Sequence, residues 1–272
     1  MEMIGQELLV KRLKDDVLNH GNIRSVLFIG AKGSGRRTLA KIMSSWIGHE
    51  LVDITEKIDY EYLSNLYVDV IPKVCLVNLD LLSVSAQNAL LKTLEEVPEG
   101  CHFCLIAENK SSVLDTIISR CSVYEFDTYS KARLLLFLKN DNTAVLSYCR
   151  TPGDVIEYSS YDISQFVGFA EKILDKVGLA NYSNILHIGD FLNWEDKKVD
   201  QKFCVDLFFK VLYIVSYNRY KNSLTDLSYK MYLLTATMLR DMKIPHINQR
   251  RIFEKYLFEL RSAYDNAKTV EE

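Results

Sequence analysis

The stretch Ser25-Val26-Leu27-Phe28-Ile29-Gly30-Ala31-Lys32-Gly33-Ser34-Gly35-Arg36-Arg37-Thr38 decides the fold. It joins a short apolar run to a glycine-rich turn and then to a helical pattern, which is the setting of a phosphate-binding loop in the register G-x-x-x-x-G-K-[ST]. Glycines at positions 30, 33 and 35 allow consecutive backbone N–H groups to turn inward, and the helix that follows offers its N-terminal dipole to an anion. The backbone frame of a phosphate loop is therefore predicted.

The side chains that perform ATP chemistry are missing from this loop. Arg36 stands where the motif has lysine, and a planar guanidinium is not equivalent to an ammonium group there. Arg37 stands where a hydroxyl holds Mg²⁺, and it cannot coordinate a cation. Thr38 supplies a hydroxyl one residue late, which on a helix is a rotation of about 100°. The sequence predicts a degenerate Walker A loop, and we do not expect it to bind ATP.

Alternating apolar runs and helical patterns extend from residue 25 to residue 127, as expected for a parallel sheet with crossover helices. The predicted strands are residues 26–29, 50–54, 74–78, 103–107 and 123–126. The predicted helices are residues 37–46, 60–68, 85–97 and 112–118. The fold class is therefore α/β with a five-stranded parallel sheet.

Beyond residue 127 the apolar residues recur at helical spacing. We predict a three-helix lid over residues 129–160, whose last helix begins at Thr151-Pro152-Gly153 because proline is tolerated in a first helical turn. An all-helical region would follow, divided by loop-like segments near residues 180–183, 193–200 and 217–223. The predicted domains are residues 1–128, 129–160 and 161–272.

The composition restricts the class of protein. The formal net charge of -3 argues against a surface that binds nucleic acid along its whole extent. No charged-then-apolar leader and no apolar run of membrane-spanning length is present, so a cytoplasmic location is expected. The six cysteines are mostly embedded in apolar runs, as reduced thiols are. Cys101 and Cys104 resemble a metal-binding pair, but on a strand they face opposite sides, so no metal site is predicted.

A second stretch carries a family resemblance. Ser85-Ala86-Gln87-Asn88-Ala89-Leu90-Leu91-Lys92-Thr93-Leu94-Glu95-Glu96-Val97-Pro98 is followed by Ser119-Arg120-Cys121. Together with Ile4-Gly5-Gln6-Glu7, and more weakly with Ile247-Asn248-Gln249-Arg250-Arg251-Ile252-Phe253, these motifs resemble the AAA+ clamp-loader ATPases of DNA replication. The resemblance implies an AAA+ module, a lid and a helical collar that joins a pentameric ring.

Aligned with this family, the chain lacks further nucleotide-handling residues. The Asp-Glu pair of active members falls on Val77 and Asn78, and the lid arginine falls on Gly153. Valine is no metal ligand and asparagine cannot serve as a general base. Asp80 is the nearest acid, but it is displaced towards the next turn. Autonomous ATP hydrolysis is therefore not expected.

The Ser-Arg-Cys motif is intact. The resemblance implies that Arg120, with Ser119 and Cys121 as motif neighbours, is directed at the nucleotide of an adjacent subunit. Such an arginine finger accelerates phosphoryl transfer by about 10³ to 10⁵. The plainer interpretation is an arginine that neutralises a helix end, worth under about 1 kcal/mol. Glu95 and Glu96 are interpreted as an exposed helix end and not as catalytic carboxylates.

These features favour a non-hydrolysing stator subunit of a clamp loader that supplies Arg120 in trans. The resemblance implies gamma/tau-like ATPase and delta-like subunits as partners, with the sliding clamp and primer-template DNA met through the assembled ring. No cysteine cluster follows the phosphate-loop helix, so the zinc module of many relatives is not expected. Two alternatives remain, an ATPase that uses Arg36 and Asp80, and an AAA+-derived nucleotide sensor.

Overall fold

The computed structural model of this chain describes residues 3–19, 23–68, 71–185, 187, 204–242, 244 and 247–271. These residues form two compact units. The first comprises Met1–Lys139 and Cys149–Glu157, and the second comprises Asn140–Tyr148 and Tyr158–Glu272. The predicted boundaries at residues 128 and 160 stay predictions.

The first unit contains a five-stranded sheet in which all neighbouring strands are parallel. Its strands are β1 (Ser25–Ile29), β2 (Glu50–Asp53), β3 (Lys73–Asn78), β4 (Cys101–Ala107) and β5 (Ser122–Glu125). The order across the sheet is β2-β3-β4-β1-β5. All five predicted strands are present within one or two residues, and the predicted fold class is confirmed.

Helices cover both faces of this sheet, as crossover connections require. The helices of the first unit are α1 (Glu7–Asn19), α2 (Arg36–Ile47), α3 (Tyr60–Asn65), α4 (Val84–Glu95), α5 (Asp115–Ile118), α6 (Lys131–Leu135) and α7 (Pro152–Tyr158), the last of which ends one residue into the second unit. Ser83 caps α4 by accepting a hydrogen bond from the backbone N–H of Ala86 (3.2 Å). Pro152 opens α7, as its pattern predicts.

The alternation of side chains along the strands builds one apolar core on each face of the sheet. On one face Leu27, Phe103 and Leu105 pack against residues of α3, α4 and α5. On the other face Phe28 and Ile106 pack against residues of α1 and α2. Burying each such side chain contributes about 1.5–3 kcal/mol. Cys101 belongs to the first core and Cys104 to the second, so the two sulfurs lie on opposite faces, as predicted.

The second unit is helical throughout its described residues. Its longer helices are α8 (Ile163–Val177), α9 (Val205–Ser223), α10 (Asp226–Asp241) and α11 (Gln249–Glu271). The predicted break at residues 217–223 is wrong, because α9 continues to Ser223 and stops only where Leu224 takes a left-handed conformation (φ 50°). The predicted break at residues 193–200 lies outside the described residues.

Within the described part of the chain, no helix is long and apolar enough to cross a membrane.

Candidate functional site

The glycine-rich loop that the sequence predicts to be a phosphate loop lies between β1 and α2. It follows β1 at the carboxyl edge of the sheet, where the N–H of Gly30 donates to the carbonyl of Ala107 (3.1 Å). Gly33 and Gly35 take positive φ values of 82° and 103°, which L-residues with side chains rarely adopt. The loop then enters α2 at Arg36. The glycine spacing therefore serves the turn that the motif requires.

Arg36 is directed into the first unit and is buried, with 8% of its surface exposed. Its Nη1 lies 3.3 Å from Oδ2 of Asp80, and its Nη2 lies 3.9 Å from Oε1 of Glu108. Asp80 also accepts the backbone N–H of Glu108 at 3.0 Å. The cation at the lysine position of the motif is thus neutralised by two carboxylates of the same chain.

Asp80 was interpreted from the sequence as an acid displaced towards a turn, and the structure gives it a definite partner. It lies in a short 3₁₀ helix, Leu79–Leu81, directly after β3. Its backbone N–H is held by the side-chain oxygen of Asn78 (3.2 Å). This geometry turns the Asp80 carboxylate towards Arg36, so its charge is already paired.

Arg37 and Asn78 are connected through a second set of hydrogen bonds. Nη1 of Arg37 lies 2.5 Å from Oδ2 of Asp53 at the end of β2. The Thr55 hydroxyl donates to Asp53 (2.7 Å) and accepts the backbone N–H of Asn78 (2.9 Å). Burial opposes ionisation of Asp53, but the hydrogen bonds from Thr55 and Arg37 outweigh it and lower the pKa of this carboxyl.

These residues do not fit a magnesium nucleotide. The Asp80 carboxylate already accepts a hydrogen bond from Arg36. Val77 is fully buried in the core, and Asn78 is used to cap the 3₁₀ helix. Thr38 is half-buried on α2, one position beyond the residue that would hold the cation. A divalent cation bound here would lack the hydroxyl and carboxylate that normally hold it.

The phosphate loop is also closed from the side of α7. The N–H of Gly153 donates to the carbonyl of Gly33 (3.0 Å). A Cβ atom added to Gly153 would lie 2.6 Å from Cα of Gly33, and one added to Gly33 would lie 2.6 Å from the Thr151 hydroxyl oxygen. Both glycines are therefore required by a close approach of the two segments.

Arg120 lies at the opposite, amino edge of the sheet, between α5 and β5. Its Nε donates to Oε1 of Glu95 (3.0 Å), and its Nη2 contacts the same oxygen. Its Nη1 donates to the carbonyl of Thr116 (2.8 Å). The side chain is 29% exposed and that of Glu95 is 50% exposed. Arg120 is therefore oriented but accessible.

The motif neighbours of Arg120 have structural surroundings. The Ser119 hydroxyl donates to the carbonyl of Thr116 (3.1 Å). Burial raises the pKa of the Cys121 thiol to about 12, so this thiol is not a nucleophile near neutral pH. Arg120, Glu95 and Ser119 line an open cleft of about 570 Å³ that reaches Arg24 and Ser25 at the start of β1.

The structure brings the predicted residues together in two groups. Gly30, Gly33, Gly35, Arg36, Arg37 and Gly153 meet at the carboxyl edge of the sheet, and Ser119, Arg120 and Cys121 meet at the amino edge. Sequence reasoning missed the contributions of Glu95, Asp53 and Glu108, since each depends on a partner far away in the sequence. Which acid pairs with which arginine can be inferred only once the order of the strands is known.

The fold is shared with a protein of known crystal structure. The crystal structure of a DNA polymerase III gamma subunit-related protein from Thermotoga maritima matches with a TM-score of 0.54 and 17% identity, covering 94% of this chain and 99% of that chain. At this identity the likeness defines the fold alone, which is a parallel α/β sheet with a helical region.

Sequence comparisons show which known proteins this chain is similar to. Residues 68–130, which include α4 and Arg120, match the family described as "DNA polymerase III, delta subunit". DNA polymerase III subunit tau of Bacillus subtilis is 31% identical over 159 residues, which are 46% of this chain and 28% of that protein. The replication factor C small subunit of Thermofilum pendens is 31% identical over 147 residues, which are 48% of this chain and 45% of that protein.

The matched regions span less than half of either curated relative. Over residues 68–130 the chain is therefore similar to the DNA polymerase III delta family, and over about half of its length it is similar to proteins named DNA polymerase III subunit tau, DNA polymerase III subunit gamma and replication factor C small subunit.

Proposed function

We propose that this chain is a non-hydrolysing stator subunit of a DNA sliding-clamp loader, of the delta-prime type. In this role it binds next to an ATPase subunit and directs Arg120 at the nucleotide held by that neighbour. The similarity to clamp-loader subunits supports a place in a clamp loader. The surroundings of Arg36 and Arg120 support a subunit that assists ATP hydrolysis by a neighbour and hydrolyses no ATP itself.

The observation that carries the proposal is the state of Arg36. A phosphate-loop lysine is useful because its charge is free to meet the phosphates of a nucleotide. Arg36 instead lies buried beside Asp80 and Glu108, and these two carboxylates neutralise its charge. Nucleotide binding would have to break this pair inside the protein, where an unpaired charge is costly.

The proposed partners follow from the relatives. A gamma/tau-like ATPase would receive Arg120, and a delta-like subunit would occupy another position in the ring. The sliding clamp and primer-template DNA would be met by the assembled ring, since a net charge of -3 provides no general attraction for DNA. Residues 161–272 would form the collar, and residues 129–160 would form the lid.

Calorimetric titration of ATP into the purified chain tests the non-hydrolysing role. We expect no heat of binding with or without Mg²⁺ up to millimolar ATP. Tight binding that depends on Mg²⁺ would contradict the proposal and favour the ATPase interpretation with Arg36 and Asp80. Tight binding without Mg²⁺, together with no association with a tau/gamma-type subunit, would favour the nucleotide sensor.

A further inference from the structure

Glu95 ends α4 and lies beside Arg120, although 24 intervening residues separate them in the sequence. One carboxylate oxygen, Oε1, accepts from both Nε and Nη2 of the guanidinium. These two nitrogens form the side edge of the guanidinium fork, which is one of the two edges that bind a carboxylate or a phosphate in a bidentate way.

The other donors of Arg120 are largely used by its own helix turn. Nη1 donates to the carbonyl of Thr116 (2.8 Å) and lies 3.4 Å from the Ser119 hydroxyl. A guanidinium has five N–H groups, so these contacts leave one Nη2 N–H for any other acceptor. A phosphoryl group therefore gains a bidentate contact with Arg120 only by replacing Glu95 or by breaking the contacts that fix Nη1.

Glu95 is the partner that gives way most easily. Its side chain is half exposed, and the surrounding water screens its direct contact with Arg120, which makes an exposed ion pair weak. The Thr116 carbonyl, by contrast, belongs to the backbone of α5 and cannot leave. A phosphoryl group carries more negative charge than the Glu95 carboxylate. When it approaches from the open cleft, it competes directly with Glu95 for Nε and Nη2 of Arg120.

We infer that Glu95 is a positioning residue for Arg120. Its carboxylate occupies the phosphate-binding edge of the guanidinium in the free chain and exchanges with the phosphoryl group of the neighbouring nucleotide. This inference rests on the proposed function of Arg120. Glu95 competes with the nucleotide of the neighbouring subunit for Arg120. It therefore weakens the binding of Arg120 to that nucleotide but takes no part in phosphoryl transfer.

Glu95→Gln and Glu95→Ala test the competition, with Glu96→Gln as the matched control. Glu96 is the next residue, is exposed and carries the same charge, but Arg120 pairs with Glu95 and not with Glu96. Neither Glu95 variant is expected to unfold the chain, because the side chain is half exposed at a helix end. Thermal unfolding of each variant checks this.

The first readout uses the chain alone with tripolyphosphate as the probe. The Nε–H signal of Arg120, followed by ¹⁵N NMR and assigned with Arg120→Lys, should move at about threefold lower tripolyphosphate concentration in both Glu95 variants than in the unaltered chain. Glu96→Gln should leave the titration unchanged. Equal midpoints in all chains, or the same shift in Glu96→Gln, would overturn the exchange.

The second readout uses the complex assembled with the tau/gamma-type ATPase of the same organism. Glu95→Gln should lower the KM for ATP by about threefold and leave kcat unchanged. A fall in kcat would mean that Glu95 is required for the reaction and would contradict the inference. A different result would be that Arg120→Ala leaves ATP turnover unaltered even though the Glu95 variants still respond at lower tripolyphosphate concentration than the unaltered chain. That result would contradict the in trans role of Arg120 but would support the competition between Glu95 and a phosphoryl group.

Discussion

The phosphate loop and the Arg120 cleft both pair an arginine with a carboxylate, but the two pairs differ in burial. At the loop, the side chains of Arg36 and Asp80 are 9% and 23% exposed, whereas those of Arg120 and Glu95 are 29% and 50% exposed. A buried pair resists separation because each charge would be left without solvent or partner. An exposed pair separates at little cost because water solvates both charges.

An arginine–carboxylate pair therefore has a different consequence at each edge of the sheet. At the carboxyl edge the pair holds Arg36 within the fold, and under the proposed function it keeps that charge from a nucleotide. At the amino edge the pair orients a guanidinium that can still be given to another molecule. Residue identity alone does not distinguish these roles, because the surroundings of each arginine decide which one applies.

Arg120→Ala should produce the largest effect, on rate. In the complex with a tau/gamma-type ATPase we expect ATP turnover at the adjoining site to fall by about 10³ to 10⁵, because the charge on the transferring phosphoryl group loses its stabilising partner. Arg120→Lys, which keeps the charge but loses the planar fork, should recover only part of this loss. Single-turnover hydrolysis measures both. An unchanged rate would mean that Arg120 is only a helix-end cation.

Arg36→Met should produce a smaller effect, on stability. The substitution leaves Asp80 partly buried without its partner, and we expect the free energy of unfolding to fall by about 2–4 kcal/mol. Arg37→Met is the matched control on the next residue, since the Arg37–Asp53 pair is exposed at 51% and 41%. Its loss should stay below about 1 kcal/mol. Urea unfolding measures both, and equal losses would contradict the role of burial.

Gly153→Ala should produce the smallest of the three effects. The added methyl group would lie 2.6 Å from Cα of Gly33, so the two backbone segments must move apart. Overpacking of this kind costs about 1–3 kcal/mol. Gly168→Ala in α8 is the control, because its Cβ would meet nothing within 4 Å and alanine favours a helix. Thermal unfolding should separate the variants, and an unaffected Gly153→Ala would show that the approach is not required.

Much of the first unit could be predicted from the sequence because its signals are local. Apolar runs of four to six residues and the glycines at 33 and 35 fix strands and a turn without knowledge of partners. The pattern near residues 217–223 misled, since its polar residues suggested a loop whereas α9 continues to Ser223. Tertiary packing against neighbouring helices outweighs local composition there.

The pairing of charges could not be predicted, because it depends on the order of strands. Asp53, Asp80 and Glu108 lie at or just after the carboxyl ends of three different strands, which the sheet brings to one edge. Glu95 meets Arg120 only because α4 and α5 pack on the same face. The sequence indicates which positions depart from the phosphate-loop motif, and the structure adds which side chains those residues contact.

The parallel direction of the strands has a consequence for assembly order. The Arg120 cleft lies where β1 and β5 begin and the phosphate loop lies where β1 ends, about 13 Å further along the strands. In a head-to-tail ring each subunit offers one face to each neighbour. Under the proposed function, the face that carries Arg120 assists ATP hydrolysis by one neighbour, and the face that carries the phosphate loop hydrolyses no ATP. A ring with a single copy of this chain therefore contains one subunit junction at which no ATP is hydrolysed. The polarity of a five-stranded sheet thereby sets where that junction falls.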